Sequence, residues 1–413
     1  MNILFISATV PYPATDGGRI RVLNLLKRVA KSNNVTFLAL ETLPTDRKGI
    51  EYLRNLGVET HLSECGIRNS EFGMRIIACA ISRKRPLTVA KYYVTAMESA
   101  IKQLIQSQMF DVIHFEMLHT GQYLQALPDL RAPTLLSLQN IDSAIWRRLA
   151  RQTGNPLKKL IFWMQYRSFR RYEQLMAKKF SACACVSEED KNLLADLCPG
   201  ISIEVIPNGV DVESYQPDHS LTEASTIVYT GSMDWLPNED AALYFHERIF
   251  PLIEAQIPDV KFYIVGQNPT ERVKQLSQRD KVIVTGMVDD VKPYIAKASV
   301  YVVPLRIGGG TRLKILEALA MEKAVVSTTI GCEGLQLTPG RDIFIADEPE
   351  KFARLVIQLT KDEKFRRRLG KSGRRQVEEK YDWRSIGKQL NELYGILHRN
   401  RVFQKNSGNI RGN

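Results

Sequence analysis

The stretch RIGGGTRLKILEALA (306–320) gathers three cations, three glycines and one acid: Arg306, Arg312 and Lys314; Gly308, Gly309 and Gly310; Glu317. Glycines carry no Cβ, so such a backbone can approach a ligand closely. From Thr311 to Met321 the apolar residues recur with helical spacing, and a helix start offers unpaired N–H groups and a partial positive charge. The chemistry is that of an anion site, most simply a phosphate, gripped by the 308–311 amides and the three cations. Glu317 lies two turns in, too deep for the phosphate, and suits a bidentate bond to paired hydroxyls such as those of a ribose. A glycine-rich turn with surface charges explains the same residues without a ligand. A second glycine loop, PYPATDGG, brings Gly17 and Gly18 to the end of the first strand, with Pro11 and Pro13 holding the approach extended.

Elements must hold these loops. Short apolar, β-branched runs predict strands at 2–8, 34–40, 111–116, 132–139 and 182–187, then at 225–232, 260–266, 281–286, 299–305 and 323–328. Helix-periodic stretches alternate with them, the pattern of parallel strands covered on both faces. The alternation pauses at EVIPNGVDVESYQPDHS (204–220), a turn-rich segment read as a domain boundary. The expected fold is α/β: two doubly wound, Rossmann-like halves with a ligand cleft between them, ligands sitting at strand carboxyl ends. The predicted limits are 1–205 and 206–382, a C-terminal helix over 383–400 crossing back to the first domain, and a disordered tail over 401–413.

The chain has 413 residues and a net charge of +12, of which +10 falls in residues 1–200. Residues 146–179 hold ten basic residues and one acid, interleaved with Leu160, Ile161, Phe162, Trp163 and Phe169. This composition suits a helix resting on an anionic membrane surface; a solvated helix with its apolar face on its own domain is the other reading. Nucleic acid is not expected, since no recognition motif accompanies the charge. Six cysteines without a CxxC pair point to a reducing cytoplasm, and Cys183 and Cys185 to small buried strand residues. The opening MNILFISATVPYP reads as a strand, not a signal core, and no apolar run is long enough to span a bilayer.

In chain order, PYPATDGGRIRVLNLL, VSEEDKNLL, VIPNGVDVESY, IVYTGSMDWLPNEDAALYF, YIVGQNP, the VIVTGMVDD…KAVVST block and GCEGL together resemble the family-4 retaining glycosyltransferases (glycosyl transferases group 1) of the GT-B fold. The resemblance covers residues 1 to about 395 and is most specific in the second half. It is closest to bacterial enzymes of exopolysaccharide, capsule or lipopolysaccharide synthesis, and within them to the sugar transferases of exosortase-associated systems. It implies a nucleoside-diphosphate sugar donor bound mainly on the second domain and an acceptor, a growing lipid-linked glycan, on the first. No DxD-like metal cluster stands out, and Asp289-Asp290 reads as a helix cap, so no obligatory metal or other cofactor is expected.

Carried over residue by residue, the resemblance makes Glu317 the second acid of the family's Glu–seven residues–Glu motif, the ribose holder. The first acid should fall at position 309, where this chain has Gly309. The family's arginine and lysine after the first strand of the second domain are also missing: GSMDWLPN offers Gly231 and Ser232 as donor contacts and Pro237 nearby. Arg306, Arg312 and Lys314 are expected to supply the lost charge. Gly266 of YIVGQNP and the main chain at Val288 of TGMVDD would meet the nucleotide, and Gly17 and Gly18 would close over phosphates and acceptor. A histidine or acid follows the strand that here reads DVIHFE, making Glu116 and His119 candidates for catalysis or sugar contact. Gln139 and Asn140 are weaker acceptor candidates. The expectation is a cytoplasmic glycosyltransferase, peripheral on the inner face of the plasma membrane. A catalytically impaired scaffold and a nucleotide-sugar epimerase or phosphorylase relative are the alternatives.

Overall fold

The computed structural model describes residues 1–43, 45–64, 85–127 and 130–409. The chain divides into two compact units, Met1–Pro207 with Arg384–Asn413, and Asn208–Trp383.

The first unit is built on seven parallel strands: β1 (Asn2–Ser7), β2 (Asn34–Glu41), β3 (Glu59–Glu64), β4 (Val112–Glu116), β5 (Thr134–Ser137), β6 (Ala182–Cys185) and β7 (Ile203–Val205). Their order is β3-β2-β1-β4-β5-β6-β7. Central strands are apolar on both faces because helices cover both: in β1, Ile3 to Ile6 are all fully buried. The helices include α1 (Gly17–Val29), α2 (Asp46–Asn55), α3 (Leu87–Ala90), α4 (Thr95–Ser107), α5 (Asp142–Gln152), α6 (Pro156–Ala177) and α7 (Glu188–Leu197).

The second unit repeats the plan with β8 (Thr226–Thr230), β9 (Lys261–Val265), β10 (Val282–Gly286), β11 (Val300–Val303), β12 (Ala324–Ser327) and β13 (Phe344–Ile345), in the order β10-β9-β8-β11-β12-β13, again parallel. Its helices include α8 (Leu236–Tyr244), which a π turn joins to α9 (Phe250–Glu254), then α10 (Glu271–Lys274), α11 (Lys292–Lys297), α12 (Leu313–Ala320), α13 (Pro349–Lys361) and α14 (Glu363–Lys380). In each sheet the chain winds outward from one strand and then jumps to its other side, between β1 and β4 and between β8 and β11. Such switch points leave a crevice at the strand carboxyl ends.

The last helix, α15 (Trp383–Asn409), packs on the first unit by Ile386, Leu390, Leu393 and Tyr394, all buried. It continues over 401–409, where the sequence reading expects a disordered tail; once a helix is nucleated, each further residue adds a hydrogen bond, and 401–405 hold no glycine or proline. Residues 410–413 lie outside those described. Among the described residues no helix is long and apolar enough to cross a membrane.

Candidate active site

In the second unit the site forms where β8, β9 and β11 end. The Gly231 N–H donates to the Val265 carbonyl at 2.9 Å, and a Cβ placed on Gly266 would fall 1.7 Å from the Gly231 oxygen. Two main chains therefore touch here, and only glycine fits at 266. Gly266→Ala should destabilise the protein by at least about 2 kcal/mol, read as a lowered thermal midpoint. A midpoint equal to the parent's would mean this contact is slack.

Lys314 reaches that spot from α12, the helix after β11. Its Nζ donates to Asn238 Oδ1 at 2.9 Å and to the Tyr229 hydroxyl at 3.4 Å, and lies 4.4 Å from the Tyr229 ring centroid. The same amine stands 2.7 Å from where a Gly231 Cβ would be. The absent Cβ is thus the room that lets the cation lie against the first turn after β8. Desolvation, and then the neighbouring Arg312, push the Lys314 pKa down to about 7, with Glu317 pulling the other way. Asn238, fixed by its bond to the Ser232 carbonyl at 2.9 Å, aims the amine.

The three-glycine loop itself is irregular, with left-handed backbone at Gly310 (φ 67°). The helix begins at Leu313, two residues later than the spacing predicts. The cause is Arg312, whose guanidinium folds back to the carbonyls of Gly309 and Gly310 and holds residue 312 extended as the helix N-cap. Arg312 therefore braces the loop as well as adding charge. Thr311 accepts a hydrogen bond from Asn208 at 2.7 Å.

Glu317 lies one turn beyond Lys314 on α12 and accepts a hydrogen bond from the Tyr215 hydroxyl. Burial raises its pKa, while Tyr215 and Lys314 restrain the rise. Ser232 is turned to its own loop, donating to Asp234 Oδ1 at 2.6 Å and accepting from Gln267 Nε2 at 3.2 Å. Val288 is half-buried against the core, leaving the main chain of its turn as the part able to meet a base.

Arg306 departs from the expected cluster. Its guanidinium grips Asp240 with two bonds, at 3.0 and 2.6 Å, and stacks 4.3 Å from the Tyr244 ring centroid. Its charge is neutralised on the outer face of α8, so of the three cations Lys314 and Arg312 remain for the loop.

In the first unit, Gly17 and Gly18 open α1, with Asp16 capping the helix through Arg19 N at 3.0 Å. A Cβ on Gly18 would stand 3.2 Å from Gln139 Oε1 and 3.5 Å from Met117. The β1–α1 loop therefore meets the ends of β4 and β5 at the switch point. Met117, at φ 69°, is one of the few non-glycine residues in left-handed backbone, a strain that clusters at functional loops.

Glu116 sits beneath this loop and is fully buried. Its Oε2 accepts from His114 Nε2 at 2.8 Å, its Oε1 accepts from Gln139 Nε2 at 2.8 Å, and Arg21 lies 3.7 Å away. The Tyr394 hydroxyl in turn donates to His114 Nδ1 at 2.7 Å. Burial alone would raise the Glu116 pKa, but His114 and Arg21 hold it below the usual carboxylate range. Both oxygens are committed inside the unit, so Glu116 acts on the surface only by fixing Gln139 beside Gly18. His119 is half-buried and stacks on Tyr92 with centroids 4.3 Å apart. Desolvation lowers its pKa to about 4, so it is a neutral imidazole at pH 7.

Tyr215, Tyr229 and Asn238 belong to the site and escape the sequence reading. Tyr215 closes the segment VIPNGVDVESY, which is legible as a motif but not as a partner of Glu317. Asn238 is one amide at the start of an apolar helix, and nothing local marks it.

Two parallel-sheet Rossmann-like units with a glycine-lined switch point in each define the GT-B class. The structure overlays the sucrose-phosphate synthase of Thermosynechococcus elongatus with a TM-score of 0.73 at 18% identity, covering 96% of this chain and 99% of that one. Anabaena HepE in complex with UDP-glucose overlays with a TM-score of 0.67 at 14% identity, over 96% and 99%. The model for Glycosyltransferase Family 4 matches residues 16–214 and that for Glycosyl transferases group 1 matches residues 224–362. The chain is a glycosyltransferase, carrying a Family 4 domain followed by a group 1 domain. It is 19% identical to an uncharacterised 44.6 kDa protein of the cps region of Klebsiella pneumoniae, over 93% of this chain and 97% of that protein. It is 24% identical to the capsular polysaccharide biosynthesis glycosyltransferase CapM of Staphylococcus aureus, over 46% of this chain and 53% of that protein.

Proposed function

We propose that the protein moves a sugar, with retention of configuration, from a nucleoside-diphosphate sugar to a growing, lipid-linked bacterial surface glycan, working peripherally on the inner face of the plasma membrane. The observation that carries this reading is the convergence of Lys314 on Gly231, with the Glu317–Tyr215 pair one turn away. When the bond to the diphosphate breaks, negative charge grows on the leaving phosphate. Fixed cations and amides aimed there stabilise that charge without reorganising. Lys314 and the 308–311 amides take that role, Arg312 braces the loop, and Glu317 holds the ribose. Glu116 is closed off, so no carboxylate of this strand stands ready as a covalent nucleophile. Retention then follows from attack on the face the diphosphate leaves, with a donor phosphate oxygen taking the acceptor proton. His119, neutral, can hydrogen-bond a sugar hydroxyl. The likeness to capsule-region proteins supports a surface glycan as the acceptor.

The test is nucleotide release from a panel of UDP-, GDP- and dTDP-sugars by purified protein. One donor should be hydrolysed slowly, and Glu317→Ala should weaken its binding about tenfold or more, the loss of charge-assisted bonds. Unchanged affinity would remove the ribose role. Gly309, standing where the family has an acid, favours a second reading, a scaffold that binds nucleotide sugars without turning them over. It predicts binding with no release from any donor.

A further inference from the structure

The outward face of α6 plays no part in the sites above. The second half of this helix is anchored by Phe169, Tyr172, Glu173 and Met176, spaced i, i+3, i+4, i+7 and all buried. Glu173 also ties α6 to the start of α5 by accepting from Ser143 N at 3.1 Å. The first half has the same spacing and the opposite fate. Leu157, Leu160, Ile161 and Met164 are 67%, 56%, 46% and 57% exposed, and Trp163 beside them is 46% exposed. The two stripes are twelve residues apart, which at about 100° per residue turns one from the other by about 120°. A stripe this regular normally faces a core. Here it is exposed, so the reading of an apolar face laid on the unit holds for Phe169–Ala177 and not for Leu157–Met164.

Cations frame the stripe. Between α5 and α6 runs a groove of about 390 Å³, floored by Ala150, Pro156, Leu160 and Trp163 and rimmed by Arg147, Arg151 and Lys159. Arg167 and Arg171 continue the outward face one and two turns beyond Met164. The single acid of 146–179 is Glu173, which is buried, so every charge this segment presents at the surface is positive. That pairing selects the occupant. A bare apolar stripe fits many protein partners, but one ringed by unopposed cations matches an anionic surface with hydrocarbon beneath it.

We propose that this face seats the protein on an anionic phospholipid bilayer: Leu157, Leu160, Ile161 and Met164 enter the boundary of the hydrocarbon, and Arg147, Arg151 and Lys159 take a lipid phosphate at the groove. The inference rests on the reading of a lipid-linked acceptor for its purpose, but on different residues for its evidence.

The experiment is sedimentation of the full chain with vesicles of phosphatidylcholine alone or mixed with phosphatidylglycerol. Binding should need phosphatidylglycerol and weaken with salt. Leu160→Asp/Met164→Asp should bind about tenfold more weakly or worse, and Arg147→Ala and Arg151→Ala about fivefold each. Trp163 emission should shift to the blue on vesicles, a shift lost in Trp163→Phe. Nucleotide release from a soluble donor should stay at the parent level in each variant, since none of these residues is in the donor site. Equal binding to neutral vesicles, no binding at all, or parent-like binding by Leu160→Asp/Met164→Asp overturns the proposal. So does a variant that turns a dimer into a monomer in light scattering while vesicle binding is unchanged, since the stripe would then serve a second copy. Vesicle binding without nucleotide release from any donor would leave this inference standing and remove the transfer reading; release without vesicle binding does the reverse.

Discussion

Lys314→Met should lower nucleotide release from the donor by about 10²–10³, the usual cost of removing one fixed group that meets developing negative charge. Lys314→Arg should not restore it, because a guanidinium cannot enter the space where the amine stands 2.7 Å from the Cβ position of Gly231. The pH dependence carries the sign. The charged amine binds diphosphate, and the free protein holds its pKa near 7, so donor affinity should fall as pH rises through about 7 and this step should vanish in Lys314→Met. Stability moves the other way. The folded pKa is depressed below the ordinary lysine value, so the unfolded chain binds more protons between about 7 and 10.5. Across that window stability rises with pH, and it is lost as pH falls back through about 7. Lys314→Met should therefore have a thermal midpoint at pH 6 no lower than the parent's while being nearly inactive. A variant that melts early and keeps its activity would make Lys314 a packing residue.

Glu116→Ala should cost about 3–5 kcal/mol, read as an earlier unfolding transition in urea. Arg21 is 1% exposed, and it donates to the carbonyls of Pro207 at 2.8 Å and Ile206 at 2.9 Å. Those bonds orient its guanidinium but do not neutralise it. Removing the carboxylate would take away the anion that stands 3.7 Å from the buried guanidinium and leave His114 Nε2 without this acceptor. The paired change Arg21→Met/Glu116→Leu should recover much of the loss, since taking out both charges removes both desolvation penalties. If Glu116→Ala instead unfolded like the parent and abolished turnover, the carboxylate would be a reacting group and its buried network incidental.

Ten strands are legible from the sequence because a strand covered on both faces needs an unbroken apolar run. Among the described residues the three that escape, β3, β7 and β13, are all at sheet edges. An edge strand is half-wet, so ETHLSE carries no such run, and β13 is only two residues long. The glycine loops are legible because close backbone approach restricts the residue type. Arg306 is not, since its neighbour Asp240 arrives from another helix 66 positions earlier and no local pattern announces an ion pair across that distance. Asn238 and Tyr229 hide for the same reason: what makes them part of the site is the side chain of Lys314, which crosses from the far side of the switch point.

The Tyr394–His114 bond has a consequence for how the chain is made. The first 207 residues contain the seven-stranded sheet, yet Ile386, Leu390, Leu393 and Tyr394, which are buried in the same unit, leave the ribosome only after the whole second unit. Segments usually fold in the order of synthesis, but here the early sheet must wait, partly uncovered, while the whole of 208–383 is translated. The first unit is sealed only after the second has been made. A gene cut after Pro207 would yield the sheet without those four side chains.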